Sequence, residues 1–204
     1  MGATVTSVER SDFPDGLRTT VTEWFSAEHR NQLSMALNLR EAEGMEILSR
    51  MLQENDIFVE NAKGGSLARM GITDEWIWSF NPKMVIVHVS GYGQTGDPDY
   101  IGRPCLDAIA QAFSGYINLN GLPDMPMVAR LYTADYMSSL HGAVGALAAL
   151  RRAEQTGVGE SVDVCMYENM LPVSADAVIL GLNRDIKPTR LGNRTERAWG
   201  DGVY

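Results

Sequence analysis

The stretch Met84–Ser90, MVIVHVS, constrains the fold of this chain more than any other. Its β-branched residues favour a pleated strand over a helix. A second short strand, Asp56–Glu60 (DIFVE), precedes it. Between them Thr73 reads as a helix N-cap, Trp76 falls in the first turn, and Asn81-Pro82 stops that helix. Strand, helix and strand in this order imply an α/β layer with a mostly parallel sheet. The same alternation extends both ways. Ala3–Glu9 is β-rich, and Glu41–Leu52 repeats Met45, Leu48 and Leu52 at helical spacing. Cys105–Ser114 reads as a helix stopped by Gly115. Tyr136–Arg152 reads as a long helix of small residues suited to close packing, ended by Gly157–Gly159. Glu160–Met166 alternates like a strand, and Glu168–Leu182 is the last clear helix. Lys63–Gly65, Ser90–Asp99 and Asn118–Pro126 read as loops, and no internal repeat is present.

Composition removes several function classes. Hydrophobic residues make up 45% and charged residues 21%, which excludes wholesale disorder. Acidic residues number 26 against 17 basic, a formal charge of −9, so phosphate-rich nucleic acid and anionic membrane are repelled at long range. A local basic pocket for one small anion remains open. No window is apolar enough to span a bilayer, and MGATVTSVERSD lacks both the pattern of a signal peptide and a lipid anchor. Cys105 and Cys165 lie far apart without CxxC or His at ligand spacing. A disulfide or a metal site is therefore not expected, and a reducing cytoplasm is.

Three features carry candidate chemistry. Gly91-Tyr92-Gly93-Gln94-Thr95-Gly96 spells GxGxxG directly after a strand. A dinucleotide site needs a helix to begin inside that motif. Asp97-Pro98-Asp99 instead makes a turn and adds negative charge where a phosphate would sit, so a plain loop is the better reading. His88 lies mid-strand and His141 in the small-residue helix. Neither has Cys, Asp or Glu at i+3 or i+4, and both are assigned to packing or surface roles. Arg10, Arg40, Lys63, Arg69 and Arg103 each lie near a strand end or a loop, where ligands of open α/β sheets gather. On pattern alone they solvate the surface. Asp135, in Tyr132–Tyr136, stands where a loop enters the small-residue helix. It is most simply an N-cap. The same position can also present a carboxylate nucleophile in a helix-lined pocket.

Several segments, in order, resemble the class III CoA-transferases, the CaiB–BaiF family. They are Leu37–Arg40, Val59–Gly64, Leu67–Gly71, Asn81–Lys83, Ser90–Gly96, Arg103-Pro104, Ala110–Gly115, Tyr132–Tyr136 and Thr156–Val164. Their order and spacing are more specific than any one piece. Thr133–Tyr136 is similar to the carnitine-type enzymes, and His29–Met35 to the bile-acid-type enzymes.

The resemblance implies a Rossmann-like open, mostly parallel sheet with flanking helices, the large domain of such an enzyme. Residues 1–182 would form this CoA-binding domain, incomplete at its N-terminus, and 183–204 a linker toward a second domain. It implies a transferase that moves CoA from an acyl-CoA thioester to a carboxylic acid. Asp135 matches the family's nucleophilic aspartate. Arg10, Leu37, Arg40, Asn61, Lys63, Arg69 and Arg103 fall at or beside positions that contact coenzyme A, with no metal involved. The partners implied are an acyl-CoA and a small acid, with a homodimer in the full-length parent. Carnitine-like and bile-acid-like acids are the candidates. Trp76, Trp78, Tyr132 and Tyr136 are a possible cation-binding wall. The spacing of Trp76 and Trp78 favours core or interface.

Family members are about twice this long, so the chain is expected to be a truncated member, inactive alone. The related acyl-CoA racemases place a His directly before the position of Asp107. Leu106 stands there, which disfavours racemisation. The remaining alternative is a truncated fragment that binds CoA without catalysis.

Overall fold

The computed structural model describes residues 2–130 and 132–194. The chain forms two compact units, Met1–Glu54 and Asn55–Tyr204, each described by itself.

The first unit holds β1 (Val5–Arg10), α1 (Gly16–Thr20), α2 (Thr22–Glu28), β2 (Gln32–Leu37) and α3 (Ala42–Glu54). β1 and β2 pair in parallel, Val5 opposite Gln32 and Arg10 opposite Leu37. α3 buries Gly44, Leu48 and Leu52, spaced four apart, so one helical face meets the core. β2 and the two short helices were not legible in the sequence, because QLSMAL mixes polar and apolar residues without clean alternation.

The second unit is built on β3 (Ile57–Glu60), α4 (Ser66–Arg69), α5 (Asp74–Phe80), β4 (Val85–Ser90), α6 (Pro98–Ile101), α7 (Asp107–Phe113), β5 (Gly121–Leu122), β6 (Met125–Pro126), α8 (Thr133–Thr156), β7 (Ser161–Cys165) and α9 (Ala175–Arg184). β3, β4 and β7 form a parallel sheet in that order, with β4 central. Its expected β-branched run is buried on both faces. Val85 and Val87 pack on one side with Ala146, Ala149, Ala153 and Val164. Each fully buried Val or Ile contributes about 1.5–3 kcal/mol. α8 lies close to the sheet because its inward face is small: Ala134, Ser138, Gly142, Ala146, Ala149 and Ala153 are all buried. A Cβ on Gly145 would come within 2.7 Å of Val162, so that spacing excludes a larger residue.

The main departures from expectation are these. α8 begins at Thr133 rather than Tyr136, which places Asp135 inside the helix. Asn118–Pro126 contains the small β5–β6 hairpin instead of a bare loop. The expected helix Glu168–Leu182 is split into 3-10 turns at Glu168–Met170 and Pro172–Ser174 before α9, because Pro172 lacks the amide a continuous helix needs. The glycine loop after β4 ends in α6, capped by the Asp97 carboxylate on the Asp99 N–H. That helix starts after the GxGxxG segment, as the loop reading requires. Residues 195–204 of the expected linker lie outside the described residues.

Candidate active site

A cleft of about 690 Å³ opens at the C-terminal ends of β3 and β4. In parallel α/β sheets this is the edge where loops converge on ligands. Its lining includes Asn61, Lys63, Arg103 and Asp135, four of the residues singled out in the sequence. Glu60, Ser90, Cys105, Asp107, Ser138 and Ser139 add to its polar wall.

Close backbone contact sets this wall. A Cβ on Gly91 would collide with Cys105 at 2.0 Å, so only glycine lets the Cys105–Asp107 segment lie against the end of β4. Asp107 is 5% exposed and engages both of its oxygens. One accepts the Ala134 N–H at 2.7 Å and the other the Gln111 Nε2–H at 2.8 Å. Gln111 in turn accepts the Ala129 N–H at 3.1 Å. Asp107 therefore caps α8 from another element. Tyr132, at the N-cap position, has φ of 73° and makes no side-chain cap bond. The reading of Asp135 as the cap is thereby corrected, since the capping work is done by Asp107, 27 positions upstream of the Ala134 amide it accepts from.

Freed from capping, Asp135 sits half-buried in the first turn of α8. Among the described residues its carboxylate takes no hydrogen bond. Burial raises its pKa above the ordinary value, and the neighbouring Asp107 charge raises it further. The result is a carboxylate with little competing solvation, the condition that suits a nucleophile. Cys105 is the other potential nucleophile of the cleft. Burial pushes its thiol up, the Asp135 and Asp107 charges add to this, and a hydrogen bond with Tyr92 opposes them. The thiol stays protonated and is the poorer nucleophile.

The cations are arranged unevenly. Lys63 makes no ion pair among the described residues. Arg103 donates to the Asp99 carbonyl at 2.5 Å and stacks over Tyr100 at 4.6 Å. Arg69 lies at the end of α4 bonded to Ser66 Oγ at 2.9 Å, outside the cleft lining. Arg10, Leu37 and Arg40 belong to the first unit. There Arg10 pairs with Asp12 at 2.8 Å, Leu37 is buried at the end of β2, and the Arg40 N–H donates to Asn38. Trp76 packs edge-on against Phe80, and Trp78 donates to the Met84 carbonyl at 2.9 Å, so both serve packing. Among the described residues no group of three or more His, Cys, Asp or Glu is placed to hold a metal ion, and no helix is long and apolar enough to cross a membrane.

Sequence reasoning missed Asp107 and Ser90. Ser90 is 3% exposed with no hydrogen-bond partner for its hydroxyl among the described residues. Nothing in their spacing marks either, since each is placed by contacts distant in sequence.

Comparison with known proteins decides the family. The sequence model of CoA-transferase family III matches residues 1–204. The chain belongs to CoA-transferase family III. Among the curated members of family III it is 46% identical over 170 residues to the bile acid CoA-transferase BaiK of Clostridium scindens, a match covering 83% of this chain and 38% of that protein. It is also 46% identical over 170 residues to the L-carnitine CoA-transferase of Proteus mirabilis, covering 83% of this chain and 42% of that one. The chain thus spans about two fifths of the length of these relatives. A CAIB/BAIF family protein from Brucella suis superposes with a TM-score of 0.87 at 29% identity, over 94% of this chain and 53% of that one. Rv3272 from Mycobacterium tuberculosis shares the fold, with a TM-score of 0.82 at 24% identity over 90% of this chain and 51% of its own. The family III assignment agrees with the α/β architecture expected from the residues.

Proposed function

We propose that the protein moves CoA from an acyl-CoA thioester to a carboxylic acid acceptor, with Asp135 as the nucleophile. The observation that carries this reading is the Asp135 carboxylate, unbonded among the described residues, half-buried and raised in pKa, in a cleft it shares with Asn61, Lys63 and Arg103.

The Asp135 carboxylate attacks the thioester carbonyl. The carbon–sulfur bond breaks, CoA thiolate leaves, and a mixed anhydride remains. The thiolate then attacks the aspartyl carbonyl, giving an enzyme–CoA thioester and releasing the donor acid as a carboxylate. The acceptor carboxylate attacks this thioester, thiolate leaves again, and its attack on the acceptor acyl carbon restores Asp135. Each step exchanges one acyl bond for another, so the energy of the thioester is conserved. Excluding water protects the anhydride.

Lys63, Arg103 and Asn61 contact CoA in this reading, the cations through charge-assisted bonds to phosphate. Arg10, Leu37, Arg40 and Arg69 are further CoA contacts by resemblance. The names of the relatives, a bile acid CoA-transferase and an L-carnitine CoA-transferase, support a carnitine-like or bile-acid-like acid. Leu106 in place of a base argues against racemisation. A homodimer is supported by α8, where Tyr136, Leu140, Val144 and Leu147 are all more than half exposed. The free thiols of Cys105 and Cys165 support the cytoplasm.

The test is replacement of the nucleophile. Asp135→Asn is expected to lower turnover by about 10⁴-fold or more while thermal unfolding stays near the native temperature. Turnover within a few-fold of native would refute the role of Asp135.

A further inference from the structure

Beside the cleft lies a second, smaller pocket of about 460 Å³ whose charged lining is Glu60, Asp74, Glu75, Asp163 and His88. Glu60 belongs to both pockets. His88 occupies the centre of this cluster. The parallel register sets Glu60 of β3 and Asp163 of β7 on either side of it across the sheet. The His88 side chain is 11% exposed. Its Nδ1 lies 2.7 Å from Glu60 Oε1, and its Nε2 lies 2.9 Å from Asp74 Oδ1. An ionised carboxylate only accepts hydrogen bonds, so each ring nitrogen must carry a proton. With both acids ionised, His88 is an imidazolium whose single charge is shared between them.

This arrangement reaches the cleft through backbone. Glu60 accepts the Ala62 N–H through its other oxygen at 2.7 Å, which shapes the turn that carries Asn61 and Lys63. Asp163 accepts the Gln94 N–H at 2.7 Å, and Gln94 Oε1 accepts the Gly65 N–H at 3.1 Å. The two loops also meet directly, for a Cβ on Gly64 would lie 2.7 Å from the Gly93 carbonyl. The row Glu60, His88 and Asp163 thus holds the loop after β3 against the glycine loop after β4.

We propose that His88 is a positioning residue whose imidazolium, held between Glu60 and Asp74, fixes the Asn61–Gly65 loop so that Lys63 is presented to CoA. The loop clamp stands on the geometry alone, and its consequence for CoA rests on the proposed function above. Every charged group lining the pocket around His88 is acidic, namely Glu60, Asp74, Glu75 and Asp163. Burial disfavours the charged ring, but the hydrogen bonds and charges of Glu60 and Asp74 outweigh it, and the pKa is raised overall. The charged clamp is then released as pH rises through a value above the ordinary one for histidine.

The test titrates the native protein with ¹⁵N-labelled histidine. It follows the His88 ring by long-range NMR, the exchange protection of the Ala62, Gly65 and Gln94 amides, and CoA affinity by calorimetry. Both ring nitrogens are expected to be protonated at pH 7. Amide protection and CoA affinity are expected to fall together at the pH where the ring titrates, affinity by roughly tenfold. Asp74→Asn, which bonds neither loop, should move all three transitions to lower pH together. A structural role alone would change the melting temperature without moving the CoA transition. A ring neutral at pH 7, or one that titrates without altering amide protection or CoA affinity, would overturn the proposal. Native protein that shows the amide transition but binds no CoA would sink the functional reading and leave the clamp.

Discussion

Two pairs of carboxylates, one across the smaller pocket and one at the cleft, are handled in opposite ways. Glu60 and Asp74 share the His88 ring, with bonds of 2.7 and 2.9 Å. Asp107 and Asp135 share no cation among the described residues. Asp107 is instead satisfied by the Ala134 and Gln111 N–H groups, and its charge adds to the burial that raises Asp135. The first pair is neutralised in part and serves as structure. The second is split, with one member bonded as a helix cap and the other left open at the cleft. What separates the two pairs is the nearest donor, since all four are carboxylates in partly or fully buried settings.

Removing the cation from the first pair is expected to cost most. His88→Ala leaves two carboxylates facing each other without the ring that joins them and should destabilise the protein by about 3 kcal/mol, measured by urea unfolding at pH 6. The pH dependence carries a definite sign. A pKa raised on folding adds stability that is complete below the unfolded value, near 6.5, and is lost as pH rises through the folded value. The native protein should therefore lose this contribution as pH rises from about 6.5 through the raised value, and the gap to His88→Ala should narrow over that range. A constant gap would mean that the ring is not charged.

Removing the cap from the second pair comes next. Asp107→Ala strands the Ala134 amide and the Gln111 side chain, and is expected to cost about 2 kcal/mol in urea unfolding. It should also lower the pKa of Asp135, because one of the two causes of its elevation is gone. A carboxyl titration of Asp135 by ¹³C NMR that does not move would break the comparison. Ser90→Ala marks the smallest effect. Its buried hydroxyl has no partner among the described residues, so its loss should change stability by no more than about 1 kcal/mol, in either direction.

The sequence disclosed the parts whose signal is local. β4 was legible because its β-branched run is continuous, and α5 because Thr73 caps it three residues ahead, accepting the Trp76 N–H. The start of α8 was misplaced because its cap comes from Asp107, which no local pattern reveals. Asp135 itself was legible only through the family resemblance, since its residue type fits a cap as readily as a nucleophile. His88 reads as a packing or surface residue in the sequence because no Cys, Asp or Glu stands at i+3 or i+4. Its acids lie 28 and 14 positions away, brought in by strand register and by the first turn of α5. A polar residue in the middle of a buried strand was the available signal, because such a group demands partners from somewhere.

The central claim is that Asp135 becomes acylated by a thioester. Incubating the protein with acyl-CoA and hydroxylamine, then sequencing the peptide that holds Asp135 by mass spectrometry, tests it directly. A hydroxamate on Asp135 that requires acyl-CoA is the predicted result. An unmodified Asp135 under conditions where CoA is transferred would contradict the account.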